Sequence, residues 1–420
     1  WVLKSTILRE LGDLEASLEA AERATSIDRT YAHAWNEKGV TLEAMGKYND
    51  AVKVYELAAR YATNPTAYLY KQADVLVTMR RFSEALPLLE QALGINNRAP
   101  YVWAKKGQVL RKLHLLDDAL EAYTRAVELD NYYAWAWSGR GLTLSLLDRH
   151  DDAIFCFQQA VKFDPDDVWY WYNFAEELIL IDDYEQALEV LDEAIYVAPD
   201  HAESWSKVGQ ALRGLSRFDD AVGAYEKAVE LMPNFAWAWN GLGLTLRTLG
   251  QMEEALDAYR MSIAQAPEVI WYRINYMTTL LQLGRTDDAL TAIESALSVN
   301  PKHPTVWARH GQVLRRMSKY EQALESYNQA VTLDTRYAWA WNGKGMCHTA
   351  LNDHVQALTC YRQAVTYEDS DVWFWHNYGD ALYRTGNPQE AIKALEKALA
   401  LDAEHEPSRV LIKKIQDESL

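Results

Sequence analysis

The sequence predicts an all-α solenoid of twelve 34-residue helix–turn–helix units, and three regularities carry that prediction: the spacing of tryptophans, of small residues and of rings. All sixteen tryptophans of the 420-residue chain fall on one lattice. Ten mark the same point of successive units: Trp1, Trp35, Trp103, Trp137, Trp171, Trp205, Trp239, Trp307, Trp341 and Trp375, with Leu69 and Arg273 in the two remaining slots. The other six, Trp135, Trp169, Trp237, Trp271, Trp339 and Trp373, stand two residues before a slot. Four residues after the slot comes glycine in eight units, from Gly39 to Gly379; Ser5, Ala73 and Ala175 are also small and Met277 is the exception. Sixteen residues after it comes alanine in eleven of twelve units, and twenty after it a ring or large aliphatic such as Tyr55, Leu89, Tyr123 or Phe157.

Each unit resolves into two helices. From Trp239, Leu242, Leu246 and Leu249 recur at helical spacing, Gly250 interrupts them, and Ala255, Tyr259 and Ile263 continue a second amphipathic period. Small residues let the two helices approach closely while the large anchor fills the space beside them, so each hairpin keeps apolar faces that only a stacked neighbour can bury. Paired acids at Asp117-Asp118, Asp151-Asp152, Asp219-Asp220, Glu253-Glu254 and Asp287-Asp288 open the second helix, where carboxylates meet the positive end of the helix dipole. They are structural rather than catalytic pairs. Five units close with proline: Pro165, Pro199, Pro233, Pro267 and Pro301.

A tryptophan, a following small residue, an aromatic, an alanine and a closing proline on a 34-residue clock resemble the tetratricopeptide repeat family. The resemblance covers residues 1 to about 404 and implies a right-handed α-solenoid of twelve repeats. Residues 405–420 lose the consensus but keep Val410, Leu411 and Ile415 near one face, as expected of a helix that caps the last repeat. The chain opens on Trp1, without a methionine and part-way into a repeat, so it reads as a segment of a longer polypeptide whose array ends at the cap and is open at its start.

Composition narrows the partners. A formal net charge of −18 and the lack of a basic run argue against a nucleic-acid or membrane surface, since phosphates need a cationic footprint. Cys156, Cys347 and Cys360 all fall within helical segments, which disfavours a disulfide framework and suits a reducing compartment. No signal peptide or apolar run of spanning length occurs, so a cytoplasmic protein is expected.

Motifs for chemistry are missing. The ten histidines look scattered, with no HExxH and no metal-ligand spacing. Gly139-Arg140-Gly141, Gly241-Leu242-Gly243 and Gly343-Lys344-Gly345 imitate the start of a nucleotide loop, but they lie inside first helices and lack the third glycine. The sequence therefore predicts a non-enzyme with no cofactor and no metal.

A longer period of three hairpins, 102 residues, sorts the candidate binding residues. Ala134-Trp135-Ala136-Trp137, Ala236-Trp237-Ala238-Trp239 and Ala338-Trp339-Ala340-Trp341 are copies; so are the second class, with Trp169, Trp271 and Trp373 each followed by Asn173, Asn275 and Asn377. The third class carries cations: Lys105, Gln108 and Arg111; Lys207, Gln210 and Arg213; Arg309, Gln312 and Arg315; Arg9 falls on the same series. Helical spacing puts these residues on one stripe of the first helix. In the family that stripe lines the concave surface, so the resemblance implies an aromatic groove punctuated by cations. The extra tryptophans either pack on neighbouring backbone, Gly139, Gly241 and Gly343 making room for Trp169, Trp271 and Trp373, or anchor a partner.

The carboxylate clamp of family co-chaperones needs lysine one residue and asparagine five residues after the anchor; no repeat here has them, the first place offering Ser138, Asn240 and Asn342 and the second Gln108, Leu142 and Glu176. The array looks more like those attached to glycosyltransferases or to signalling ATPases and proteases. The leading expectation is a non-catalytic module that binds a protein or extended peptide in its groove. The alternatives are a substrate-receiving or sensor region of a larger enzyme or signalling ATPase, and a self-assembling scaffold, possible as a homo-oligomer.

Overall fold

The structure, a computed structural model, describes residues 1–418. Among them twenty-five helices follow one another and no strand occurs. First helices begin at the first turn around each slot, as Pro100–Lys112 does around Trp103, and lead into 14-residue second helices such as Leu116–Leu129. Contacts divide the chain into two compact units, Trp1–Leu215 and Ser216–Leu420.

Every hairpin turns by the same device. One residue adopts the left-handed backbone at the end of each first helix: Gly12, Gly46, Gly250, Gly284 and Gly386, and the non-glycines Arg80, His114, Asp148, Asp182, Ser216, Ser318 and Asn352. The next amide then bonds back five residues, as Lys319 N–H does to the Leu314 carbonyl at 2.9 Å, which closes the helix end. The predicted acids do open the second helices. Arg149, Arg217 and Arg285 each precede one and pair with Asp152, Asp220 and Asp288 at 2.5, 2.7 and 2.7 Å.

The core is a row of rings in slots without side chains. Ala119, Ala153, Ala221, Ala255, Ala289 and Ala323 are fully buried where the two helices of a hairpin meet or neighbours press on them. In the first unit, a Cβ added at Gly107 would lie 2.7 Å from the Tyr123 ring and one added at Gly139 only 2.3 Å from it. Tyr123 is thus wedged between two successive first helices. In the second unit Tyr327 sits likewise between Gly311 and Gly343, with distances of 3.0 and 2.4 Å, and Tyr225 abuts Gly241 at 2.4 Å. The expectation that Gly139, Gly241 and Gly343 vacate room for Trp169, Trp271 and Trp373 is therefore wrong. The tyrosine arriving from the preceding second helix fills that room instead.

Within each unit, successive first helices touch one another, as Pro100–Lys112 does Ala134–Ser145 and Pro304–Arg316 does Ala338–Ala350. Second helices make no comparable contact with each other, so the first helices occupy the inner, more crowded side.

The helix expected over 405–420 is Glu406–Glu418; residues 419 and 420 lie outside the described residues. It packs Leu411 and buried Ile415 against Leu382 and Leu395. One feature of the repeat persists there without its tryptophan. Arg409 stands one full unit after Trp375 and donates to the Ala403 carbonyl six residues back, as Arg273 does to Pro267.

Three sets of substitutions check this packing. Gly343→Ala should destabilise by about 1–3 kcal/mol, because a Cβ would be forced into a fully enclosed ring. Gly223→Ala, in a helix position with open space around it, should gain about 0.5–1 kcal/mol in urea unfolding. Arg80→Gly or Ser318→Gly should raise stability by up to about 1 kcal/mol, since a side chain in the left-handed region costs roughly that much net of glycine's greater entropy loss.

Candidate functional site

The anchors fix where each first helix starts. The indole N–H of nine of them, Trp35 through Trp375, donates to the carbonyl six residues earlier at 2.8–2.9 Å. Arg273 keeps the same bond with its guanidinium, which explains how an arginine fills a tryptophan slot. The loop is thereby tied to the helix, and the residue two places before the anchor is held in the first turn of the inner face.

The six extra tryptophans fall into two physical classes. Trp135, Trp237 and Trp339 are half-buried and meet the wedge rings edge-on: Tyr123 at 6.4 Å, Tyr225 at 6.3 Å and Tyr327 at 6.4 Å between centroids. They also lean on Tyr133, Phe235 and Tyr337, so packing accounts for much of their surface. Trp169, Trp271 and Trp373 remain 49, 53 and 53 % exposed. Each is met edge-on by one histidine thirty-two residues on: His201 at 4.7 Å, His303 at 5.8 Å and His405 at 4.6 Å.

Those histidines are residues of this face that the sequence reading missed. They are not scattered, because 201, 303 and 405 are spaced by 102 residues, the same long period as the tryptophans. His201 and His405 hold themselves in place through Ser204 Oγ and Ser408 Oγ, both at 2.8 Å from Nδ1. Burial holds the His201 pKa below its usual value, which favours a neutral ring at neutral pH.

The polar stripe is partly engaged within the fold. Asn173 donates to Ser138 Oγ at 3.3 Å, Asn275 to Asn240 Oδ1 at 2.8 Å and Asn377 to Asn342 Oδ1 at 2.9 Å, each linking one first helix to the one before. In the first unit Lys105 lies 2.8 Å from Asp74 and 5.0 Å from the Trp135 ring, and Lys207 lies 2.8 Å from Glu176. Arg9 pairs with Glu37 at 3.4 Å. Gln108 and Arg111 are half-buried, with Gln108 Oε1 and Arg111 Nε lacking partners among the described residues; Gln210 and Arg213 are half-buried too. A cleft of about 510 Å³ opens on this face, lined by Arg111, Leu142, Asn173, Glu176, Lys207 and Gln210 among others. The stripe residues of four first helices thus converge on one hollow. In the second unit Arg309, Gln312 and Arg315 are half-buried, and Arg309 lies over the Trp339 ring at 4.6 Å.

Other groups are arranged for packing. Burial pushes the Cys156 and Cys360 thiols up to about 11 and Cys347 up to about 12, so none is an activated nucleophile. Among the described residues no group of histidine, cysteine, aspartate and glutamate is placed to hold a metal ion, and no helix is long and apolar enough to cross a membrane.

Models described as tetratricopeptide repeat match residues 3–65, 70–134, 172–234 and 207–269, and further ones match 134–167, 270–313, 303–367 and 372–405. The chain belongs to the tetratricopeptide repeat family, and its class is that of a protein–protein interaction module. No curated protein matches it. Yeast Tom70 shares the fold, 15 % identical over 93 % of this chain and 96 % of that one with a TM-score of 0.50. The APC/C hetero-tetramer Cut9–Hcn1 gives 16 % identity over 98 % and 95 % with a TM-score of 0.49. YrrB, described as a TPR protein with an unusual peptide-binding site, gives 22 % over 43 % and 92 % with a TM-score of 0.36; neither of these two bears on function here.

Removing the loop tie should be measurable. Trp307→Phe keeps the ring but leaves the Pro301 carbonyl without its donor, and chemical denaturation should show a loss of about 1 kcal/mol. Arg273→Trp should be tolerated; a larger loss there than for Trp307→Phe would contradict the shared role.

Proposed function

We propose that the chain is a non-catalytic module that binds an extended protein segment along its first-helix face. The observation that supports this most is the series Trp169, Trp271 and Trp373: three indoles about half exposed, at equivalent places, each held edge-on by a histidine. Keeping a large ring in water forgoes its burial, and tryptophan is over-represented among residues that dominate binding energy. A positioned ring loses little entropy when a partner covers it. On the same helix as Trp169, from Asn173 onward, the cleft of about 510 Å³ offers polar and apolar walls suited to side chains of a strand-like or irregular segment.

Buried, unpaired thiols suit a reducing compartment, and the cytoplasm is the compartment we propose. The acidic surface fits a protein or peptide partner better than a nucleic acid or a membrane.

The test is substitution on the face. Trp169→Ala, Trp271→Ala and Trp373→Ala should each weaken a purified partner by about 2 kcal/mol at low and high salt alike. Circular dichroism should show an unchanged helical signal, because these rings are not core. Unchanged affinity in all three would move recognition to another surface.

A further inference from the structure

The inner cations are not equivalent, and their difference points to the chemistry of the partner. In the unit Trp1–Leu215, Lys105 and Lys207 each meet an acid from the preceding first helix, Asp74 and Glu176, both at 2.8 Å. In both pairs the acid stands thirty-one residues before the lysine. The next member of the series, in the unit Ser216–Leu420, departs from this twice. Thr278 takes the acid's place and Arg309 the lysine's. Thr278 Oγ1 donates to its own helix at the Ile274 carbonyl, 2.7 Å away, and supplies no charge.

Arg309 is consequently a half-buried guanidinium without a counter-charge. Among the described residues no carboxylate comes within salt-bridge distance of it. Its Nη1 donates to Gln312 Oε1 at 3.0 Å, its plane lies 4.6 Å from the Trp339 ring centre, and its Nε is buried with no partner. Further along the same stripe, Arg315 has no carboxylate partner among the described residues; its guanidinium interacts with the Tyr327 hydroxyl, and its Nε is buried and unpartnered. Asp380, the acid on the inner stripe of helix Val372–Arg384, is engaged by Arg384 at 2.6 Å.

We propose that Arg309 and Arg315, with Gln312 between them and Trp339 as a platform, form a subsite for one acidic side chain of the extended partner; this rests on the first-helix face being the binding face. A guanidinium stacked on an indole keeps edge donors in a fixed fork that suits a carboxylate, which a lysine does not offer. A partly desolvated charge with no counter-ion gains more from an incoming carboxylate than Lys105 or Lys207, where the carboxylate would have to displace Asp74 or Glu176. The net charge of −18 works the other way at long range, so a single acid that reaches the stripe is favoured over a polyacidic run.

The experiment uses the full chain and a peptide probe. Random twelve-residue peptides displayed on phage are selected on the immobilised protein. One selected peptide, its analogue with the acid changed to the amide, and its C-terminally amidated form are then titrated by fluorescence anisotropy. They are measured against the wild type, Thr278→Asp and Arg309→Gln. Thr278→Asp rebuilds the arrangement already present at Asp74 and Lys105, so it should fold normally and neutralise the subsite from within.

Selected peptides should share one acid, and both variants should weaken them about tenfold, the loss of one charge-assisted contact. The amide analogue should bind wild type and variants equally, and amidating the terminus should change nothing. Peptides without an acid, full affinity for Thr278→Asp, or loss of binding on amidation would each overturn the subsite while leaving the groove intact. If no peptide is selected, or if Trp271→Ala and Trp373→Ala leave binding unchanged, the first-helix face itself is not the binding surface and the subsite falls with it.

Discussion

Where a tyrosine ring is wedged between two successive first helices, neither presents a side chain to it, and the close approach of those helices depends on that absence. Tyr123 between Gly107 and Gly139, and Tyr327 between Gly311 and Gly343, set how closely the first helices approach. Larger residues at these glycines would separate the helices or tilt the ring out. The approach places the first helices on the crowded side of each unit, where they touch one another. It also provides the floor on which Trp135, Trp237 and Trp339 rest. The buried ring thus shapes the surface that stands above it.

The loop tie complements this wedge. An indole that donates to a carbonyl six residues back fixes the angle at which the chain enters each first helix, and Arg273 and Arg409 show that the donor, not the ring, is what the loop requires. Because the loop tie recurs in most units, local variation can be placed on the inner stripe without disturbing the frame. The 102-residue period is that variation: one class of unit contributes packed tryptophan, one exposed tryptophan with a histidine, one a cation. Differences within a class then become informative. Asp74 and Glu176 neutralise their lysines, whereas Thr278 leaves Arg309 open.

For a repeat array that serves as a protein–protein interaction module, this division has a physical logic. Polar groups already satisfied within the fold, such as Asn173, Asn275 and Asn377, stiffen the face by linking adjacent first helices. Rings and charges left incompletely satisfied are those for which, under the proposed function, a partner would supply the missing surface or counter-ion.

The sequence by itself determined the helices, their pairing and the residues of the inner stripe, because each depends on spacing along the chain: 34 residues for the hairpin, helical periodicity for the face. It also held the positions of His201, His303 and His405, legible as one more 102-residue series, although nothing in their spacing says that they touch tryptophan. What only the tertiary structure decided is which groups meet across units. Room beside Gly139 could belong to Trp169 or to Tyr123, and the choice depends on the direction from which a ring arrives. Likewise, six tryptophans identical in register divide into half-buried and half-exposed classes, since exposure is set by what the neighbouring helix brings against each ring. Periodicity fixes a residue's address on its own helix; only the packed neighbours fix its environment.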